Sequence, residues 1–131
     1  MSYSKKDLVK FRIHKAKATF QDALLLVDTG RWDSAANRLY YAGYYMISAY
    51  LAEREIKTTT HTGVKTKFNE ELIKTGKIDR ELGIAFNQLF SMRQDADYED
   101  FEEISESEVR PMTTQVQKLL IDLEMLLILE K

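Results

Sequence analysis

No cysteine occurs among the 131 residues, and the chain has only one proline, five glycines and two histidines. The lack of Cys excludes thiol nucleophiles, thiolate-bound zinc or iron–sulfur centres and any disulfide framework, and it fits a reducing compartment. Two His without Cys supply no convincing transition-metal ligand set, though carboxylates could hold a hard cation; no cofactor is expected. Gly and Pro are too few to punctuate an all-β chain. The longest uninterrupted apolar runs, residues 23–27 and 125–129, fall far short of the roughly 20 residues that span a membrane, and the opening MSYSKKDLVKFR lacks the apolar centre of a signal peptide. A soluble, cytoplasmic protein without membrane contact is the expectation. P-loop, dinucleotide fingerprint, nucleophile elbow and HExxH motif are all missing.

What the chain does contain is 44% hydrophobic and 31% charged residues, enough to close one core over residues 1–131 as a single domain. The apolar positions recur at three- and four-residue spacing, the period of amphipathic helices. Val9, Ile13, Ala16, Phe20, Ala23, Leu24 and Val27 mark a first helix from residue 4 to about 27, ended by Thr29-Gly30. Asp33 or Ser34 can cap a second, running to about residue 53, with Trp32, Ala36, Leu39, Gly43, Met46, Ile47 and Tyr50 as its stripe and four further tyrosines around it. A third, shorter helix follows Thr58-Thr59-Thr60, carries Val64, Phe68 and Leu72, and closes at Gly76. Asp79 can cap a fourth with the stripe Leu82, Ala85, Phe86, Leu89 and Phe90. Ser105-Glu106-Ser107-Glu108 has the capping-box pattern ahead of a strongly amphipathic fifth. Five helices with short connections predict an all-α, antiparallel up-and-down bundle.

Charge is distributed unevenly. Residues 1–65 hold 11 Lys and Arg against 6 acids, and residues 66–131 hold 8 against 15. Much of the acidic excess lies in residues 95–108, which contain neither Lys nor Arg. The fourth helix also holds an anomaly: its apolar stripe Leu82, Phe86, Leu89 continues at four-residue spacing into Arg93 and then Asp97. The helix either frays after Met92 and leaves the pair as an exposed cap, or Arg93 lines a polar cleft suited to an anion such as phosphate. Tyr98 adjoins them. In the second helix Arg38 and Tyr41, three residues apart, share a face. His61 stands among threonines at the start of the third helix, where a capping or loop role is the plain expectation.

The runs Asn37-Arg38-Leu39-Tyr40-Tyr41-Ala42, Thr60-His61-Thr62-Gly63-Val64, Lys74-Thr75-Gly76-Lys77-Ile78 and Leu89-Phe90-Ser91-Met92-Arg93-Gln94-Asp95-Ala96-Asp97-Tyr98 together resemble the HEPN superfamily (higher eukaryotes and prokaryotes nucleotide-binding), in its small, stand-alone prokaryotic branch. The likeness spans nearly the whole chain. It implies a compact helical bundle that commonly forms a homodimer and is often paired with a minimal nucleotidyltransferase as toxin and antitoxin. Many HEPN domains are metal-independent endoribonucleases whose motif is an Arg and a His separated by four to six residues. The His handles the 2′-OH proton and the Arg stabilises phosphate charge.

Arg93 matches the motif Arg and Gln94 its polar neighbour, but residues 98–100 read Tyr-Glu-Asp where the His would stand. The resemblance therefore implies a nucleotide- or RNA-binding module around Arg93, Gln94, Tyr98, Arg38 and Tyr41, acting with its nucleotidyltransferase partner and without efficient catalysis. Tyr98 is then a candidate acceptor for nucleotidylation. One alternative is an endoribonuclease that uses Arg93 with an unconventional base, His61, Asp97 or Tyr98. Another is a structural dimerisation scaffold in which Arg93 and Asp97 form an interior ion pair. The homodimer would form through the aromatic second helix or through the Arg93 face.

Overall fold

A computed structural model describes the backbone of residues 4–98 and 103–130, and the side chains of 4–92 and 103–130. Five α-helices occur among the described residues, and no strand: α1 (Lys5–Asp28), α2 (Trp32–Glu53), α3 (His61–Phe68), α4 (Arg80–Tyr98) and α5 (Glu106–Leu129). The all-α bundle read from periodicity is the fold. Ser4 caps α1, its hydroxyl accepting from Asp7 N–H at 3.1 Å while the Asp7 carboxylate accepts from Ser4 N–H. At α5 the expected box is present, with the Glu108 carboxylate accepting from Ser105 N–H at 3.1 Å. Pro111 lies in the second turn of α5 rather than the first, so it withholds the donor that the Ser107 carbonyl would otherwise receive.

Two local expectations are corrected. The cap of α2 is neither Asp33 nor Ser34 but Arg31. Gly30, at φ +73°, takes the left-handed turn, and Arg31 N–H reaches back to the Leu26 carbonyl at 2.9 Å, so the chain enters α2 without room for a side-chain cap. The Asp33 carboxylate accepts instead from Ile104 N–H at 2.9 Å, tying the approach to α5 onto the start of α2. The third helix is also not uniform: after Phe68 it widens into a π-helical turn, Asn69–Ile73, which still buries Leu72.

Helix α2 is the shaft of the bundle, packed against each of the other four. Helix α1 runs antiparallel to it, with Lys5 Nζ on the Glu53 carbonyl and Arg12 on the Ser48 carbonyl at 3.0 Å. Helix α5 runs parallel to α2, joined near both ends by Asp33–Ile104 and Tyr50–Glu130, and α4 lies antiparallel to α5. Residues 54–60 lead back along α2 from its C-terminal end, so that α3 begins level with Tyr40 and runs in the same direction as α2. That return covers about 14–20 Å of helix, within the reach of about six extended residues. It places His61 beside the tyrosines.

The core is a continuous layer of Leu39, Met46, Ile47, Phe68, Phe86, Leu89, Leu119 and Leu123, all essentially inaccessible to solvent. Gly43 lets α4 and α5 pack closely on α2. A Cβ there would stand 3.1 Å from Phe86 Cδ1 and 3.5 Å from Leu119 Cδ2.

Candidate functional site

The second helix places Tyr40, Tyr41, Tyr44 and Tyr45 over little more than one turn, so that the four rings share one side of it, spread over an arc of about 140°. Tyr40 is wholly buried, while the other three are half-exposed. The Tyr40 ring stacks on Phe86 of α4 at 5.3 Å and meets Phe90 edge-on at 6.1 Å. Its hydroxyl lies 2.9 Å from His61 Nδ1. Thr60, not His61, caps α3, its hydroxyl accepting from Gly63 N–H at 2.9 Å. The capping expectation for His61 is thereby corrected: as the first residue of α3, it lays its ring on α2. Ring centroids are 4.5 Å from Tyr44 and 5.7 Å from Tyr41.

Cations border these rings. The Arg38 guanidinium sits over Tyr41 at 5.1 Å, held from the side by Asn37 Oδ1 at 2.8 Å, and Lys65 sits over Phe90 at 4.7 Å. The structure therefore brings together three of the residues singled out from sequence, Arg38, Tyr41 and His61. Tyr40 and Tyr44 join them, and sequence reading had given neither a role. The signal available was the NRxYYA run followed by Tyr44, which sets three rings side by side on one helix.

Helix α4 continues to Tyr98, past Met92, so the helix does not fray there. Arg93 stands three residues after Phe90 and four after Leu89, the next turn of the stripe that packs on α2. The side chains of Arg93, Gln94, Asp97 and Tyr98 lie outside the described residues. Among the described residues no group of three or more His, Asp or Glu could hold a metal ion, and no helix is long and apolar enough to cross a membrane.

A second polar cluster, not anticipated from sequence, lies at the other end of α2. Tyr50 donates to Glu130 Oε1 at 2.7 Å, Arg54 reaches the same oxygen at 3.0 Å, and Lys77 contacts Glu130 Oε2 at 3.1 Å. These contacts lower the Glu130 pKa, with the Tyr50 hydrogen bond as the main cause. They raise that of Lys77, chiefly through Glu130, and burial followed by the Glu130 hydrogen bond raises that of Tyr50. The depressed carboxyl contributes stability that is present above its unfolded pKa of about 4.3 and is lost as pH falls through the lower folded value. The raised Tyr and Lys contribute stability present below about pH 10 and lost as pH rises through their folded values. Urea midpoints measured against pH are expected to fall on both sides of a plateau, and Glu130→Gln is expected to flatten the acid limb and, because the Lys77 and Tyr50 shifts also rest on Glu130, to weaken the alkaline limb as well. An unchanged acid limb in that variant would show that Glu130 does not set it.

Residues 9–126 match the family model of the HEPN domain. A UPF0332 protein of Thermotoga maritima is 34% identical over 123 residues, which cover 94% of this chain and 93% of the relative. A Methanocaldococcus jannaschii protein named as a putative toxin is 36% identical over 104 residues, covering 79% of this chain and 70% of the relative.

Proposed function

The chain belongs to the HEPN family, and from that membership we propose a nucleotide- or RNA-phosphate-binding module that works with a minimal nucleotidyltransferase in a toxin–antitoxin-like pair. The observation that carries the reading is the cluster of Arg38, Tyr41, Tyr44 and His61 on the α2 face where the α4 stripe leads from Phe90 towards Arg93. Half-exposed ring faces accept a base, and fixed cations accept a phosphate. The relative named as a toxin supports the toxin-like part of the reading. Arg93, with Gln94 beside it, is proposed as the phosphate contact, Asp97 as its partner on the same helix face, and Tyr98 as the acceptor for nucleotidylation by the partner enzyme. The proposed homodimer uses the α4 face that ends at Arg93.

Arg93→Ala is expected to weaken binding of a short RNA or a nucleotide by tenfold or more, since a hydrogen bond to a charged group contributes about 1.5–3 kcal/mol. Equal binding by wild type and variant would remove this cleft from consideration. Intact-mass measurement after incubation with the partner and ATP is expected to show one nucleotidyl addition, absent in Tyr98→Phe.

One observation favours a second reading, a metal-independent endoribonuclease. His61 is oriented by Tyr40 on the side of the bundle towards which the Arg93 stripe runs, and it would take the part of the missing motif His. Cleavage of a mixed-sequence RNA in chelator, lost in both Arg93→Ala and His61→Ala, is the result this reading requires.

A further inference from the structure

We propose that the α1–α2 face beside the candidate site is a stacking track for single-stranded RNA. This rests on the nucleic-acid reading above, but it involves residues outside that site. From His61 the rings continue through Tyr41 at 5.7 Å to Tyr45 at a further 5.8 Å. Beyond Tyr45 the track crosses to α1, where the Lys15 ammonium lies 4.8 Å from the Tyr45 centroid and 5.7 Å from that of Phe11. Phe11 is 59% exposed, unusual for a phenylalanine that the core does not use. Arg38 over Tyr41 and Lys15 between Tyr45 and Phe11 set a cation beside each of these three rings.

Tyr41 and Tyr45 are partly exposed and Phe11 largely so. A base can stack on such a ring while the cation moves to the neighbouring phosphate, the combination of stacking platform and positive groove that binds single strands irrespective of sequence. Charge selects the partner. Residues 8–21 of α1 and 34–52 of α2 contain no acidic residue, while Arg12, Lys15 and Arg38 lie within them. A second copy of this chain would set cations against cations, whereas a polyanion meets a strip whose one acidic residue, Asp22, lies at its far end. Duplex RNA hides its base faces and leaves the rings without ligands.

The test is fluorescence anisotropy with a labelled 12-nucleotide single-stranded RNA, the same sequence as a duplex, and a dinucleotide, using wild type, Phe11→Ala, Lys15→Gln and Arg93→Ala. Phe11 and Lys15 are surface residues, and melting curves verify that their variants remain folded. Phe11→Ala is expected to weaken the 12-mer roughly tenfold, as loss of one stacked base contact does, and to leave the dinucleotide unchanged. Lys15→Gln is expected to weaken the 12-mer and to reduce the slope of log affinity against log salt by about 0.7. The duplex is expected to bind more weakly than the single strand.

If Phe11→Ala and Lys15→Gln bind the 12-mer as wild type does while Arg93→Ala loses both RNAs, the track is refuted and the candidate site stands. If the first two weaken the 12-mer and Arg93→Ala changes nothing, the track stands and the Arg93 reading fails. Equal binding of duplex and single strand refutes stacking. Absence of RNA binding in every protein refutes both readings, and a change from dimer to monomer in Phe11→Ala without any RNA binding would reassign the strip to a protein contact.

Discussion

Tyr40→Ala is expected to destabilise the bundle by about 3–5 kcal/mol, the usual cost of deleting a buried aromatic ring, and to lower the melting temperature by about 10–20 °C. Tyr40 has no solvent-exposed surface and touches three elements at once: its neighbours on α2, Phe86 and Phe90 on α4, and His61 on α3. None of these can close the void alone, because Phe86 is itself held edge-on against Phe68 at 5.2 Å. Tyr40→Phe separates the ring from its hydroxyl. It keeps the stack on Phe86 and loses the bond to His61, so a cost of about 1 kcal/mol is expected. Calorimetry on the two variants discriminates between a ring that packs and a hydroxyl that positions His61. A loss below about 1 kcal/mol in Tyr40→Ala would mean that the ring cluster is not part of the core.

Gly43→Val is expected to cost about 3 kcal/mol, at the upper end for overpacking a core. The reason is steric. A Cβ alone would already stand 3.1 Å and 3.3 Å from two atoms of the Phe86 ring, and that ring is held between Tyr40 and Phe68. The branched methyls of Val enlarge the conflict and force α4 away from α2. Since α4 carries Arg93 and α2 carries Tyr41, the same variant is expected to weaken RNA binding even at temperatures where it remains folded. Gly43→Ala, with the single Cβ, is expected to lose less, because its better helix propensity of about 1 kcal/mol offsets part of the clash. Urea denaturation of the two variants against wild type tests the order. A Val variant as stable as wild type would show that the helices separate without cost.

Both predictions concern residues whose role emerges only when helices meet, and that marks the limit of what the sequence made legible. The helices could be read because burial of one face imposes a period of 3.6 residues, as Leu82, Phe86 and Leu89 illustrate. The Ser105 and Ser4 caps could be read because they are local. The α2 cap could not, since Gly30 and Arg31 close the turn through the backbone and free the Asp33 side chain for a residue 71 positions away. His61 looked like a loop residue because nothing local indicates that residues 54–60 retrace α2 and deliver it to Tyr40. The Tyr50–Glu130 pair, 80 residues apart, was invisible for the same reason. Of the candidate site, the pairing of Arg38 with Tyr41 followed from three-residue spacing, and the ring cluster around His61 did not.

The parallel seating of α5 on α2 also bears on how the chain acquires its structure. Helices α1 and α2 share the most extensive interface in the bundle and are joined by a three-residue turn, so this hairpin carries little loop-closure penalty and belongs to the early, low-contact-order part of folding. Every bond between α2 and α5, by contrast, closes a loop of 70 residues or more. The rate-limiting event is then expected to be the docking of α5 onto a preformed α1–α2 hairpin. Phi-values should be high for Ala16 and Leu39 and fractional for Leu123.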